Sequence, residues 1–233
     1  MAAKVSVRLE VPLGEDTVLL HTCCAPCSSA ILECMTNQGI KPVIFYSNSN
    51  IYPYEEYDHR RSECARYAAK LGVEMVEDEY DHEAWLEAVR GLENEPERGG
   101  RCLRCFKYRL GRAAKYASGH GYKVLTTTLA SSRWKRLDQI DEAGLEACAA
   151  FGGMTVPQCD LRVRDSEVRA IPLEGVQGVE KASRHMTPVI WWDQNWRKGG
   201  LQERRGEIIR EMGFYNQQWC GCEFSIRPEQ KDL

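Results

Sequence analysis

The chain lacks the features of an exported or membrane-bound protein. Its first ten residues contain no apolar core long enough for a signal peptide, and no stretch approaches the length of a membrane span. Its 11 cysteines in 233 residues also fall well short of the density of small disulfide scaffolds, which exceeds about 8–10%. We therefore expect a cytoplasmic protein with no membrane partner, in which clustered cysteines bind metal more often than they form disulfides.

A glycine-rich phosphate loop and an overall positive charge are also missing. Neither G-x-x-x-x-G-K-S/T nor G-x-G-x-x-G follows the first predicted strand. The net charge is -3 at pH 7, whereas nucleic-acid-binding domains are usually basic. Basic residues are concentrated locally, because residues 98–115 contain seven Lys and Arg and no acid. One such run alone is typical of a solvated helix face, but its position beside cysteines indicates a polyanionic partner.

Seven of the cysteines lie in three short motifs. Adjacent cysteines and C-x-C pairs are poor core positions, because neighbouring side chains rarely point into one interior. They suit sites where several thiolates converge on one ion or cluster. By contrast, Cys34, Cys64 and Cys148 fall on apolar helix faces and are expected in the core, while the role of Cys159 stays open. The motifs are Cys23-Cys24-x-x-Cys27, Cys102-x-x-Cys105 and Cys220-x-Cys222.

Strands alternate with helices along most of the chain, which predicts βαβ units and a parallel sheet. We expect a single α/β domain over 1–233 with helices on both faces of the sheet. Predicted strands are 17–21, 42–46, 73–76, 122–128 and 188–192, and predicted helices 28–38, 55–71, 81–90, 102 onward and 137–151.

Chemistry-bearing residues follow three of these strands directly. Cys23 comes after the first strand, the asparagine-rich loop 47–53 after the second, and 131–133 after the threonine-rich strand. Ligands of parallel sheets bind beyond the carboxyl ends of the strands. The sequence therefore predicts that thiols and cations meet at one edge of the sheet.

Five motifs together resemble the cobalamin-independent epoxyqueuosine reductases of the QueH family. They occur in the order typical of that family and cover most of residues 17–151 and 187–226. Two departures are visible: the 152–186 insertion, and Asn216 where an arginine is expected after Tyr215, for which Arg204 or Arg205 would substitute. The motifs are LHTCCAPC (20–27), NSNIYPYEEY (48–57) with Arg60, RCLRC (101–105), TTTL (126–129) and GFYNQQWCGCEFS (213–225).

The resemblance implies a Rossmann-like fold related to ATP-pyrophosphatase (HUP) domains. The 152–186 insertion would precede the last strand, and the cysteine-containing segment 213–233 would close onto the metal site. The resemblance also implies a tRNA-modifying oxidoreductase. Its reaction would remove the epoxide oxygen of epoxyqueuosine at the tRNA wobble position to give queuosine. The cofactors implied are a 4Fe-4S cluster and a second metal ion, expected to be iron. Seven thiolates exceed the four of one tetrahedral site, which fits such a pair. The ligands implied, whose division between the two metals stays open, are Cys23, Cys24, Cys27, Cys102, Cys105, Cys220 and Cys222.

The partners implied are the anticodon loop of tRNA and a low-potential electron donor, which no motif identifies. Candidate proton donors are Tyr57, His21 and a bound water, among which the sequence does not choose, although a buried, hydrogen-bonded role suits His21 better. Loop recognition splays bases and stacks them on aromatic or arginine planes, and phosphate contacts would come from the basic helix after Cys105. Candidate substrate-binding residues are Asn50, Arg60, Arg133, Trp134, Lys135 and Arg197.

Two other functions remain as alternatives. An iron-sulfur-dependent tRNA sulfur transferase would need ATP, and the S-G-G-x-D-S loop of ATP-pyrophosphatases is missing here. A non-enzymatic zinc-binding module would use the C-x-x-C and C-x-C pairs as one closed site. That second alternative leaves the cysteines at 23–27 without a purpose.

Overall fold

A five-stranded, all-parallel sheet lies at the centre of the protein in the computed structural model, which describes residues 5–153, 186–215, 217 and 219–226. The strands are β1 (Thr17–His21), β2 (Lys41–Tyr46), β3 (Met75–Glu77), β4 (Val124–Thr127) and β5 (Ile190–Trp191). Their order is β3-β2-β1-β4-β5, so the chain starts in the middle and winds outward in both directions. This confirms the predicted α/β fold, while the relationship to HUP domains stays a prediction.

Six α-helices connect and cover the strands. Their ends fall within a few residues of the predicted ones, except that the helix after β5 was not predicted. Short 3-10 helices span Pro12–Gly14, Thr128–Ser131 and Glu223–Ser225. Within the described part of the chain, no helix is both long and apolar enough to cross a membrane. The α-helices are α1 (Ala25–Asn37), α2 (Tyr54–Leu71), α3 (His82–Ala88), α4 (Gly100–Gly119), α5 (Leu137–Ala149) and α6 (Leu201–Met212).

Both faces of the sheet are buried, because helices pack against each of them. Successive residues of a strand point to opposite faces. In β1, Leu20 packs into a core with α1, α2 and α6, whereas Leu19 packs into a second core with α4 and α5. This explains why the strands are continuous apolar runs rather than alternating ones. Cys34 and Cys64 belong to the first core and Cys148 to the second, as predicted, while Cys159 lies outside the described residues.

The connections at the carboxyl ends of the strands form one edge of the sheet. β1 pairs with β2 and with β4, so the segments that follow these three strands are neighbours there. The C-terminal tail (residues 219–226) returns to this edge, where Tyr52 N–H donates to the Gly221 carbonyl at 2.9 Å. Most of the predicted insertion, residues 154–185, lies outside the described residues. The single-domain boundaries stay a prediction.

Candidate metal centre

Three cysteines converge in the turn between β1 and α1. Cys23 and Cys24 follow the end of β1, and Cys27 lies in the first turn of α1. All three side chains are buried, and their Sγ atoms lie within 4.8 Å of one another. The Sγ atoms of Cys23 and Cys24 are 3.8 Å apart. Three soft thiol ligands this close together can bind a metal ion.

The thiol trio ionises most readily at Cys23. Hydrogen bonds from the Cys24 and Cys27 thiols hold the pKa of Cys23 well below its usual value, and the cations Lys135 and Arg109 add to the effect. The hydrogen bond to Cys23 in turn raises the pKa of Cys24 and of Cys27. The start of α1 also favours a thiolate through the helix dipole. Because thiolates rather than thiols are metal ligands, Cys23 is the member of the trio best prepared for binding.

Side chains from distant parts of the sequence fix this cysteine turn. Cys23 N–H donates to Thr128 Oγ1 at 3.2 Å, and the same hydroxyl lies 3.5 Å from Cys23 Sγ. Ser131 Oγ donates to the Cys27 carbonyl at 3.2 Å. Arg205 of α6 donates to the Pro26 carbonyl at 2.9 Å. The segment after β4 and helix α6 therefore hold the trio in place.

His21, a candidate proton donor, is buried beneath the trio and bonded through both ring nitrogens. Nε2 lies 3.1 Å from the Ser47 carbonyl and must carry the hydrogen, so Nδ1 accepts from Thr127 Oγ1 at 2.7 Å. Burial, with Arg109 nearby, lowers the pKa of His21 to about 3. The ring is therefore neutral near pH 7 and links β1, β2 and β4.

The C-terminal tail holds its two cysteines against this edge. Arg60 of α2, itself buried, donates from Nη2 to the Trp219 carbonyl at 3.3 Å, and its guanidinium lies 5.3 Å from the Trp219 ring centroid. Gly221 has φ +97°, and a Cβ there would lie 2.8 Å from Ile51 Cγ1. Glycine is the residue that fits between Cys220 and Cys222 without strain.

Two further side chains hold the far end of the tail. His82 Nδ1 lies 2.7 Å from the Ser49 carbonyl, and its Nε2 lies 2.8 Å from Glu223 Oε1. Arg101, buried in the first turn of α4, donates to Ser225 Oγ at 3.3 Å. The tail is thus bonded to the loop after β2, to α2, to the start of α3 and to α4.

The other four cysteines of the motifs form a looser group beside the trio. Cys105 and Cys222 are buried in one small apolar cluster, against which the partly exposed Cys220 packs. Cys102 Sγ accepts a hydrogen bond from Arg98 N–H at 3.2 Å. No second set of three ligand atoms lies within 4.8 Å of one another anywhere in the described ranges. A metal bound to these four would draw them closer than they lie here.

Lys135 interacts with both thiol groups. Burial lowers the pKa of its ammonium, but the nearby thiols of Cys23, Cys220 and Cys27 outweigh this and leave the pKa raised. The hydrogen bond from Cys222 holds the pKa of Cys220 well below its usual value, and Lys135 contributes in the same direction. A cation here offsets the negative charge of thiolates from both groups.

Asn50 and Arg60, two of the predicted substrate-binding residues, are both buried. Asn50 is 2% exposed, and its Oδ1 has no hydrogen-bond partner among the described residues. A buried acceptor without a partner is costly, so it suits a ligand that donates a hydrogen bond. Arg60 instead binds Glu56 Oε1 at 2.6 Å and the tail. In this arrangement Arg60 positions the cysteine tail.

The remaining predicted substrate-binding residues follow β4 and β5. Arg133 is exposed, and Trp134 is 80% exposed, the largest apolar surface on this edge of the sheet. Arg197 donates from Nη2 to the Lys135 carbonyl at 2.7 Å. The structure thus brings Arg133, Trp134, Lys135 and Arg197 together beside the thiols.

Tyr57 lies in an aromatic group with Tyr46 and Tyr80. Burial, with the nearby Glu77, raises the pKa of its phenol to about 12. Its electrostatic neighbours are the charges of β3 and α2, Glu77 and Arg61 first among them, rather than the cysteines. Its geometry therefore gives less support to a role as proton donor.

The basic helix α4 has fewer free charges than its sequence suggests. Lys107 pairs with Glu142 and Glu146, and Arg112 pairs with Asp78. Arg104 and Lys115 are exposed. Outside this helix, Arg204 pairs with Glu33, Glu207 and Glu211, so it is not available to replace the arginine expected after Tyr215.

Several residues that shape the centre were not singled out from the sequence. Arg109 donates to the Ser47 carbonyl at 3.3 Å and to Asn48 Oδ1, and so joins α4 to the loop after β2. His82 and Arg101 hold the tail through partners more than 120 residues away. Such long-range contacts leave no local signal. Gly221, by contrast, did leave a local signal, because it is the single residue between two cysteines.

Comparisons with known proteins agree with the geometry. The sequence profile of the family "Epoxyqueuosine reductase QueH" matches residues 18–173 and 169–228. Proteins named Epoxyqueuosine reductase QueH are similar over nearly the whole chain. The Histophilus somni protein is 36% identical over 97% of this chain and 79% of its own length. The Haemophilus influenzae protein is 37% identical, over 96% and 77% respectively. The Acinetobacter baylyi protein is 36% identical, over 98% and 89%.

Proposed function

The chain belongs to the epoxyqueuosine reductase QueH family, and from this membership we propose the reaction it catalyses. It is an oxidoreductase of queuosine biosynthesis that acts on tRNA, and it removes the epoxide oxygen of epoxyqueuosine at the wobble position to give queuosine. The oxygen leaves as water, so each turnover consumes two electrons and two protons. The electrons come from a low-potential donor outside this chain.

The cysteine motifs fit the cofactors that this reaction needs. The observation that carries the proposal is the buried trio of Cys23, Cys24 and Cys27, with Sγ atoms within 4.8 Å of one another, at the sheet edge reached by the C-x-C tail. Thiolates are the ligands of iron–sulfur clusters. We assign the seven motif cysteines to a 4Fe-4S cluster and a second metal ion, iron. Bound there, these groups would supply electrons one at a time and a Lewis acid for the departing oxygen.

The protein's own residues hold the thiolates and balance their charge. Lys135 and Arg109 lie near Cys23 and favour its thiolate. Arg60 binds the Trp219 carbonyl next to Cys220, and so fixes the tail that carries the C-x-C motif. These residues position the metal ligands before substrate arrives, which lowers the reorganisation that the reaction requires.

The substrate base enters from the open side of the same edge. Arg197 binds the carbonyl of Lys135, which follows Arg133 and Trp134 in the chain, and basic or aromatic groups are what single-stranded RNA loops require. Asn50 Oδ1, buried and without a partner among the described residues, suits a hydrogen-bond donor of the modified base. His21 is neutral and bonded through both ring nitrogens, which favours water over His21 as the direct source of protons.

The decisive test is the deoxygenation reaction itself. Anaerobically purified protein, a low-potential reductant and tRNA carrying epoxyqueuosine are incubated with and without ATP, and digested nucleosides are weighed by mass spectrometry. We expect loss of one oxygen without ATP. Cys23→Ala, which removes a proposed metal ligand, should lose this activity. Cys148→Ala, which alters a core cysteine in α5, is the matched control and should retain it.

The same experiment separates the alternatives. A product that gains sulfur only with ATP would indicate a tRNA sulfur transferase. Protein that contains zinc alone and leaves the epoxide unchanged would indicate a zinc-binding module. An unchanged epoxide in a sample with confirmed iron and sulfide contradicts the proposed reductase.

The cytoplasmic location is likewise a proposal, based on the reduced thiols that this site requires.

A further inference from the structure

Arg197 carries a polar group that the protein leaves without a partner. Its Nη2 donates to the Lys135 carbonyl at 2.7 Å, which fixes the guanidinium beside the segment after β4. Its Nε is buried and has no hydrogen-bond partner among the described residues. A buried N–H of a charged group costs free energy when it is not bonded. The orientation of the guanidinium therefore leaves the Nε N–H for a ligand.

A second arginine lies close to Arg197. Gln139, whose amide binds the Arg98 carbonyl, lies four residues after Lys135, whose carbonyl binds Arg197. In agreement with this, burial and then the charge of Arg98 lower the pKa of Arg197. Arg98 is exposed and has φ +69°, an uncommon conformation for a residue other than glycine. Its carbonyl accepts from Gln139 Nε2 at 3.1 Å, and its N–H donates to Cys102 Sγ at 3.2 Å. The backbone of Arg98 is thus held on both sides while its side chain is free.

No carboxylate of the described residues neutralises these two arginines. None of the ion pairs formed within the described ranges involves Arg98 or Arg197, whereas Lys107, Arg112 and Arg204 all bind carboxylates. Two guanidinium groups close together repel each other unless an anion lies between them. Planar guanidinium forks match the oxygens of a phosphate group, which they bind through paired hydrogen bonds.

The arginine pair lies beside the thiols and next to an exposed aromatic ring. Arg197 binds the carbonyl of Lys135, whose ammonium interacts with Cys23 and Cys220. The preceding residue is Trp134, which is 80% exposed. Exposed tryptophan beside a cationic site is typical of proteins that stack single-stranded bases. Arg197 is therefore bonded to the residue that directly follows the exposed ring.

We propose that Arg98, Arg197 and Trp134 form a subsite for the nucleotide next to the modified one. Arg98 and Arg197 bind its phosphodiester group, and Trp134 stacks on its base, so that the modified base itself is directed toward the thiols. The subsite rests on the proposed action on tRNA, and it adds the residues that recognise the RNA backbone. Arg98 belongs to it although the sequence did not mark this residue for substrate binding.

The test measures RNA binding separately from the reaction. An anticodon stem-loop carrying epoxyqueuosine is synthesised with one phosphate at a time replaced by a neutral methylphosphonate, and dissociation constants are measured anaerobically. For the unmodified protein we expect one linkage beside epoxyqueuosine whose neutralisation weakens binding about tenfold, the effect of losing one charge-assisted hydrogen bond. Arg98→Gln and Arg197→Gln should weaken binding to the native stem-loop by a similar factor and abolish the response to that linkage.

Trp134→Ala should weaken binding by roughly tenfold or more, since a stacked base contributes about 1–3 kcal/mol. Removal of the neighbouring base should have no further effect on this variant, and Trp134→Phe should restore much of the affinity. Arg90→Gln, which alters an exposed arginine paired with Glu87, is the matched control and should bind as the unmodified protein does.

The outcomes distinguish the two proposals. If the unmodified protein deoxygenates the stem-loop but the site variants bind it normally, the subsite is wrong and the proposed function stands. The same conclusion follows if neutralising that linkage weakens RNA binding by Arg98→Gln and Arg197→Gln as much as it weakens binding by the unmodified protein. If the unmodified protein with its iron in place neither binds nor deoxygenates the RNA, the proposed function itself is wrong.

Discussion

Gly221→Ala tests whether the C-terminal tail presents its cysteines through its docked conformation. At φ +97° an alanine is strained, at a cost of about 1–3 kcal/mol. Its Cβ would also lie 2.8 Å from Ile51 Cγ1 and 3.1 Å from Arg60 Nη1, and such overpacking adds about 1–3 kcal/mol. The expected strain is therefore about 2–6 kcal/mol.

The contacts that dock the tail have a similar total strength. Its described bonds run to Tyr52, Arg60, His82 and Arg101, and a hydrogen bond contributes about 1 kcal/mol net. We therefore expect the tail to detach in Gly221→Ala rather than the whole protein to unfold. Iron per chain should fall at least severalfold, and hydrogen exchange should show loss of protection over 219–226. The free energy of unfolding in urea should change little.

Gly111→Ala is the matched control. Gly111 lies inside α4, and a Cβ there has nothing within 4 Å. Replacement of a helical glycine by alanine should stabilise the protein by about 0.5–1 kcal/mol and leave the iron content unchanged. Gly221→Ala with normal iron content and a fully protected tail would refute the reasoning.

Three more expectations concern the centre and its support. Cys222→Ala should lose iron and activity yet keep the circular dichroism spectrum of the folded protein, whereas unfolding of this variant would mean that the metal is structural. Arg60→Met should keep the apolar packing but lose the bond to the tail, so that iron binds several times more weakly in a chelator competition. Asp78→Asn should cost about 1–3 kcal/mol in urea unfolding. Burial raises the pKa of Asp78, but the hydrogen bonds from Arg112 and Ser47 outweigh this and lower it. The stabilisation that the Asp78 carboxylate gives therefore exists above about pH 4 and is lost on acidification. The free energy of unfolding of Asp78→Asn should lack that part of the pH dependence, and an unchanged acid profile would contradict the reasoning.

The local sequence determines the order and type of most elements. Apolar runs such as Val18–Leu20 are too short for helices and lie between turn residues, so they form strands. Helix α2 ends at Gly72, whose φ of +67° suits glycine. Helix α6 was missed because its pattern of alternating charges, seen at Glu203 and Arg204, hides a narrow apolar face. That face is recognisable only when Ile208 is seen packed in the core.

Spacing along the chain was also enough to identify the cysteine motifs as a group. A Cys-Cys-x-x-Cys turn after a buried strand places three thiols at the start of a helix, whatever surrounds it. A C-x-C pair separated by one glycine likewise indicates a tight local bend. These features depend on neighbouring residues, so they can be recognised in the printed sequence.

Tertiary structure decided which of the charged residues are free. Arg60 and Arg109 look like RNA ligands in the sequence, but folding buries both and bonds them to backbone carbonyls of distant segments. Arg98 looks like one cation among seven, yet folding bonds its carbonyl to Gln139, close in the chain to Lys135, which binds Arg197 about a hundred residues away from Arg98 in the chain. A carbonyl or carboxylate partner contributed from across the sheet leaves no trace in local sequence. The sequence alone therefore determines the strands, most of the helices and the thiol motifs, and the packing of distant segments determines which cations remain to meet the substrate.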